Sequence, residues 1–220
     1  FTGGGMDGHV WLSVWGKGPQ KLLTEHGLFT ATAWSPDGSR LSYGTLDGFD
    51  ENKTGTLKLY DLATGEDVVL GRISPSWQAI FTSDNRLIYL FDKALQIWAI
   101  PPGKSLKEGP VLERTIALAN VPEGALYYEG ASLTMTLSPS ERYLALLRQN
   151  FGYETATVGI LNLETGEEYP AADLVRNNMN ALPTLFAWSP DSDTLAYLTM
   201  PHLSEDSVNG NHSQIWLVDA

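Results

Sequence analysis

No cysteine occurs among the 220 residues. Disulfide staples, zinc ribbons and thiol nucleophiles are therefore excluded. Basic residues are scarce: 14 Lys and Arg stand against 26 Asp and Glu, a formal net charge of −12. That balance argues against non-specific nucleic-acid binding and against anionic membrane surfaces. No apolar run approaches the roughly 18 residues of a membrane-spanning helix. Helical periodicity is nearly absent, and a short helical turn is expected only over 171–180. Charged residues make up 18% of the chain and hydrophobic ones 43%, which excludes a disordered polymer. A chain of this length buries about 70% of its unfolded surface and needs no covalent staple.

What is present is a repeat. Ala33-Trp34-Ser35-Pro36-Asp37-Gly38-Ser39-Arg40-Leu41-Ser42-Tyr43 returns as Ala187-Trp188-Ser189-Pro190-Asp191-Ser192-Asp193-Thr194-Leu195-Ala196-Tyr197. Weaker copies begin at Thr136-Leu137-Ser138-Pro139 and at Ile80-Phe81-Thr82-Ser83. The anchors Trp34, Phe81, Leu137 and Trp188 recur at intervals of about 50 residues, in the range of propeller blades and above that of helical solenoids. Each copy reads as four strands. The first ends at the anchor. A Ser-Pro-Asp-Gly turn follows, in which Pro fixes φ and Gly accepts φ > 0. A Leu-x-Tyr strand comes next, then a longer variable segment. The third strand is exemplified by Gln214-Ile215-Trp216-Leu217-Val218, and a second tight turn such as Ala63-Thr64-Gly65-Glu66 leads to the fourth. The copy at Phe81 lacks Trp, Pro and Gly, so its blade is expected to be the least regular.

This pattern predicts an all-β chain, a β-propeller of four-stranded antiparallel blades. It gives about 17 strands, or about four and a half blades. The expected blades are 1–26 (partial), 27–73, 74–114, 130–170 and 183–220 (partial). A chain opening at Phe1 with this strand count is expected to be a section of a propeller of about six to eight blades. The alternative is a five-bladed ring with a spare strand. In an open section, rather than a ring, exposed blade edges would favour association.

Trp-Ser-Pro-Asp-Gly-x-x-Leu-x-Tyr followed by Ile-Trp-Leu-Val-Asp resembles the WD-like blade repeat of TolB-type propellers. It also resembles the propeller domains of tricorn-like and prolyl-oligopeptidase-like peptidases. The resemblance extends from about residue 9 to residue 219. It implies that Trp34 and Trp188 pack between blades and that Pro36 and Gly38 set turns. The TolB likeness implies a periplasmic or extracytoplasmic protein that binds other proteins. The peptidase likeness implies a gating domain whose hydrolase lies elsewhere. No Gly-x-Ser-x-Gly nucleophile elbow occurs in these residues.

In such a blade the first-to-second and third-to-fourth connections share one face. Here they are short and repetitive. The other connections, expected at 3–9, 24–31, 44–56, 70–78, 113–132, 148–156, 169–184 and 200–213, are long and varied. Segments released from a repeat are where function gathers. They hold Trp77, Tyr127, Tyr128 and Tyr153, aromatic candidates for binding anchors, and Asn178 in an amide-rich run. They also hold all four histidines and much of the acid. Asp47, Asp50 and Glu51 offer hard oxygens to calcium, and with His26, His202 and His212 they form a candidate transition-metal set. The expected function is a non-enzymatic scaffold binding a protein or peptide without a cofactor. The alternatives are the accessory propeller of a serine peptidase, or a metal-assisted lyase or hydrolase.

Overall fold

Short runs of alternating polarity, broken by Pro, Gly, Asp and Asn, fold as strands along the whole chain. The computed structural model describes residues 8–13, 19–45, 55–73, 78–91, 93–118, 131–150, 155–175, 182–200 and 214–220. Among them lie 16 strands and no helix. They are β1 (Gly8–Ser13), β2 (Pro19–Trp34), β3 (Arg40–Thr45), β4 (Gly55–Asp61), β5 (Asp67–Ile73), β6 (Ala79–Phe81), β7 (Arg86–Phe91) and β8 (Ala94–Ala99). There follow β9 (Val111–Ala117), β10 (Ala131–Leu137), β11 (Tyr143–Asn150), β12 (Thr155–Asn162), β13 (Glu168–Val175), β14 (Leu182–Trp188), β15 (Thr194–Met200) and β16 (Gln214–Asp219). They form four antiparallel meanders: β1–β5, β6–β9, β10–β13 and β14–β16. The described residues divide into two compact units, one up to 118 and one from 131 onward. In unit 1, β2 and β5 touch β6 and β7. In unit 2, β14 touches β11 and β12.

Three expectations need correction. Residues 24–31 are not a long connection, because they lie inside the continuous strand β2, which carries the chain from β1 to β3 in one sheet. With that merger the described residues hold 16 strands where about 17 are expected. Residues 171–175 are strand, where a helical turn was expected; their ladder to β12 outweighs local preference. Residues 70–73, 113–117, 169–175 and 182–184 likewise extend strands β5, β9, β13 and β14.

The turns after β2, β6, β10 and β14 are the same hydrogen-bonded device. The hydroxyls of Ser35, Thr82, Ser138 and Ser189 accept the backbone N–H of Arg40, Arg86, Tyr143 and Thr194 at 2.9, 2.9, 3.1 and 2.9 Å. Three of them donate to the turn aspartates Asp37, Asp84 and Asp191, at 2.6, 2.5 and 2.5 Å. Gly38 sits at φ 69° as its type allows, but Asn85, Glu141 and Ser192 take the same left-handed conformation at 63°, 58° and 70°. The sheet around Phe81 is therefore complete despite its missing Pro and Gly. In the second turn, Asp61 Oδ1 accepts the N–H groups of Ala63 and Thr64, both at 3.0 Å. Asn162 does the same for Glu164 and Thr165 at 2.8 and 3.1 Å.

Burial falls from β3 to β5 and from β7 to β9. All of β3 is buried, and Leu87, Ile88, Tyr89 and Leu90 of β7 are at most 1% exposed. Both faces of these strands are covered, so β7 runs apolar rather than alternating, while β3 buries Arg40, Ser42 and Thr45 among its apolar residues. β4 and β8 largely alternate, β5 mixes exposed and buried positions, and β9 is largely exposed. The core of unit 2 gathers Ala145, Leu147, Val158, Ile160 and Leu195 against Tyr143, Phe186 and Trp188. Trp188 is the expected packing residue: its Nε1–H donates to the Thr136 carbonyl at 3.0 Å and its ring stacks on Tyr143 at 6.2 Å. Trp34 departs from expectation. It is 48% exposed, and no comparable stack covers it among the described residues.

Candidate functional site

At the turn ends, buried polar groups fasten neighbouring elements. In unit 1 the Arg40 side chain is 2% exposed. It donates to Asp61 Oδ2 at 3.4 Å and to the carbonyls of Pro101 and Lys104 at 2.9 and 2.6 Å. The β8–β9 turn is thus tied over the first sheet. Tyr89 donates to Gln96 Oε1 at 2.7 Å, and burial pushes its phenol pKa up to about 12. Its hydroxyl occupies the space that a side chain at Gly71 would need.

In unit 2, Arg148 and Glu168 form a bidentate pair at 2.5 and 2.8 Å, with the arginine side chain 3% exposed. The pair crosses β12 above Gly159. A Cβ there would run into the Glu168 carboxylate and come within 3.1 Å of Arg148 Nη1. Arg148 Nε is buried without a partner among the described residues. The pair is a clamp across three strands.

Beside the turns of the same unit lies a cleft of about 340 Å³, lined by Tyr143, Ile160, Asn162, Tyr169, Asp219 and Ala220. Its volume falls near the lower end of small-ligand and side-chain pockets. Ile160 forms apolar lining, and two phenols, an amide and a carboxylate provide polar groups. Tyr169 is 52% exposed and donates to Glu167 Oε2 at 2.8 Å, an interaction that raises its pKa. Arg142 lies over the Tyr143 ring at 5.7 Å and pairs with Glu164 at 3.9 Å.

The sequence candidates fall elsewhere. Trp77, Tyr127, Tyr128, Tyr153, Asn178, Asp47, Asp50, Glu51, His202 and His212 lie outside the described residues. His26 is on β2 rather than on a connection. The β1–β2 register pairs Gly8 with Gly27 and Val10 with Thr24, which brings the positions of His9 and His26 near one another across the ladder. Among the described residues no three His, Asp or Glu side chains come together as a metal set. The aspartates with lowered pKa belong to turns. Asp37 and Asp191 are held down first by the hydroxyls of Ser35 and Ser189, and Asp61 first by the backbone N–H of Thr64. Sequence reasoning missed the cleft because it discounted the repetitive end of the sheets. Its signal was present: Tyr143 stands where the first copy has Arg40, and Tyr169 pairs with Ile160 where Val68 pairs with Leu59.

The meander order, the repeated turns and the burial gradient decide the architecture. The sheets are propeller blades. No family profile and no curated protein sequence matches the chain. Solved structures do. TolB from Acinetobacter baumannii aligns over 97% of this chain and 46% of its own, with 19% identity and a TM-score of 0.51. A prolyl endopeptidase aligns over 97% of this chain and 31% of its own, with 14% identity and a TM-score of 0.55. The β-propeller domain of the trilobed protease from Pyrococcus furiosus aligns over 97% and 61%, with 11% identity and a TM-score of 0.53. The chain thus spans less than half of the first two proteins. These likenesses establish the fold. Among the described residues no helix is long and apolar enough to cross a membrane.

Proposed function

We propose that these blades form a recognition scaffold that binds a protein or peptide through the connections opposite the short turns. The observation that carries this reading is the order of the strands. In each meander, alternate connections lie at opposite ends. The turns at 35–39, 62–66, 82–85, 138–142, 163–167 and 189–193 are short and bind their own polar groups. The segments between β3 and β4, β9 and β10, and β15 and β16 are long, as is the β8–β9 segment 100–110 at the turn end, and all four aromatic candidates fall in the set opposite the turns. Trp77, Tyr127, Tyr128 and Tyr153 serve as anchors in this reading, with Asn178 as a hydrogen-bonding neighbour. The scaffold works in an extracytoplasmic compartment, a reading supported by likeness to TolB.

An alanine scan of both ends of the blades, read by affinity for a co-purifying protein, tests this. A true anchor costs about 2 kcal/mol or more in binding with little change in stability. Losses confined to Asp37, Gly65 and Gly166 would place recognition at the short turns instead. The likeness to two peptidase propellers supports a second reading, an accessory domain of a hydrolase. A nucleophile elbow with a later Asp and His in the full gene would decide for it.

A further inference from the structure

The clamp of unit 2 leaves one of its own donors unused. A guanidinium presents its N–H groups in a rigid planar fork. Arg148 Nη1 donates to Glu168 Oε1 at 2.5 Å and Nη2 to Oε2 at 2.8 Å, so the carboxylate grips the fork end-on. The side of the fork, where Nε–H lies, takes no part in that grip. Nε is buried without a partner among the described residues, on a side chain 3% exposed. A buried donor left unmet has lost its hydration with nothing in return, and folded proteins match such groups with protein or with ordered water.

The strand ladder sets a hydroxyl beside this donor. Arg148 of β11 stands opposite Thr157 of β12, within a register unbroken from Tyr143 and Asn162 to Asn150 and Thr155. Opposed residues share a face, with their Cβ atoms about 5 Å apart. Along that face the Arg148 side chain reaches the space above Gly159, two residues further on in β12. Nε and the half-buried Thr157 do not bond directly. The spacing of opposed side chains suits one small bridging molecule. In unit 1 the matching level needs no bridge. Counted from the turns, Tyr89 and Gln96 stand where Leu146 and Gly159 stand, and the Tyr89 hydroxyl meets Gln96 Oε1 at 2.7 Å.

We propose that Arg148 Nε and the Thr157 hydroxyl hold one buried structural water, a binding site that completes the clamp of unit 2. Glu168 already neutralises the guanidinium, so the site calls for a neutral acceptor and not a second anion. Burial of Arg148 shuts out solutes larger than solvent. The water oxygen accepts Nε–H, and one water hydrogen is donated to Thr157 Oγ1. Two such partners meet the minimum for a buried water. The site makes no use of the recognition connections, so either reading can fail without the other.

The test is magnetic resonance of the 220-residue chain, isotope-labelled at arginine Nε, with the Arg148 signal assigned by its loss in Arg148→Lys. The expected result is magnetisation transfer from Nε–H to a long-lived water. Thr157→Val, which removes the hydroxyl, loses this transfer; Thr157→Ser, which keeps it, retains the transfer. Transfer only to another protein proton overturns the proposal, as does undiminished transfer in a folded Thr157→Val. A crystal structure of the parent chain needs no variant. It should show one water within about 3.2 Å of both atoms. A protein group in that place, or no density there, also overturns the proposal.

Discussion

Gly159 is the residue on which the clamp of unit 2 depends. It lies at a register shift in the β12–β13 ladder without a left-handed φ, and what matters is the missing side chain, through whose space Arg148 and Glu168 meet. Gly159→Ala forces the carboxylate away and leaves a buried guanidinium short of its partner. The expected cost is about 3 kcal/mol, read by denaturant unfolding, although strand propensity alone would favour alanine. A neutral or stabilising result would show that the pair shifts freely. The turn aspartates act at the same scale through pH. The pKa values of Asp37, Asp61, Asp84 and Asp191 are lowered on folding. For Asp84, burial acts against the shift and is overcome by the Thr82 hydroxyl and Arg86. A carboxylate with a depressed folded pKa stabilises the fold above its unfolded value, about 4, and that contribution is lost as pH falls through the folded value. The midpoint of thermal unfolding should hold between about pH 7 and 5 and drop below about pH 4. Replacing all four with Asn should flatten the acid limb; an unchanged limb would assign the acid sensitivity elsewhere.

At the scale of elements, two tryptophans in one motif have different surroundings. Trp188 stacks on Tyr143, donates to Thr136 and joins the unit 2 core. Trp34 is 48% exposed. Trp188→Ala should cost about 3 kcal/mol, whereas Trp34→Ala should cost less than about 1 kcal/mol in the isolated chain. Equal losses would mean that Trp34 has a cover in solution. The repeat was legible because its turns need particular residues: Pro36 fixes φ, and Gly38 adopts φ 69°. The degenerate copies were harder to read because Asn85, Glu141 and Ser192 adopt the same conformation, held by the hydroxyl bond rather than by glycine. Strand ends were misread for a related reason. Thr24 to Thr30 carries polar and glycine residues that suggest a connection, yet pairing with both β1 and β3 keeps it extended. The cleft was illegible because its residues come from β11, β12, β13 and β16, which the linear repeat keeps apart.

At the scale of the molecule, the edges govern behaviour. β4, β8 and β12 are each flanked by strands on both sides, and β16 pairs only with β15 among the described residues. The consequence appears in exposure. Leu57 and Leu59 of β4 are 0% exposed and Val158 and Ile160 of β12 are 1% and 2%, whereas Ile215 and Leu217 of β16 are 74% and 71%. Trp216, on the other face, is 47% exposed despite stacking on Tyr197 at 6.5 Å. A strand paired on one side only and carrying exposed apolar side chains on both faces is a template for association. The 220-residue chain alone should therefore self-associate in a concentration-dependent way, seen by sedimentation or light scattering. Ile215→Lys with Leu217→Lys should suppress this without unfolding β15, because both positions face solvent and charge on an edge strand opposes pairing. If the parent chain stays monomeric at high concentration, β16 is covered in solution, and its exposed apolar row is not an interaction surface. If the parent associates and the double variant does so equally, the contact runs through another surface, with the exposed flank at Trp34 the next to test.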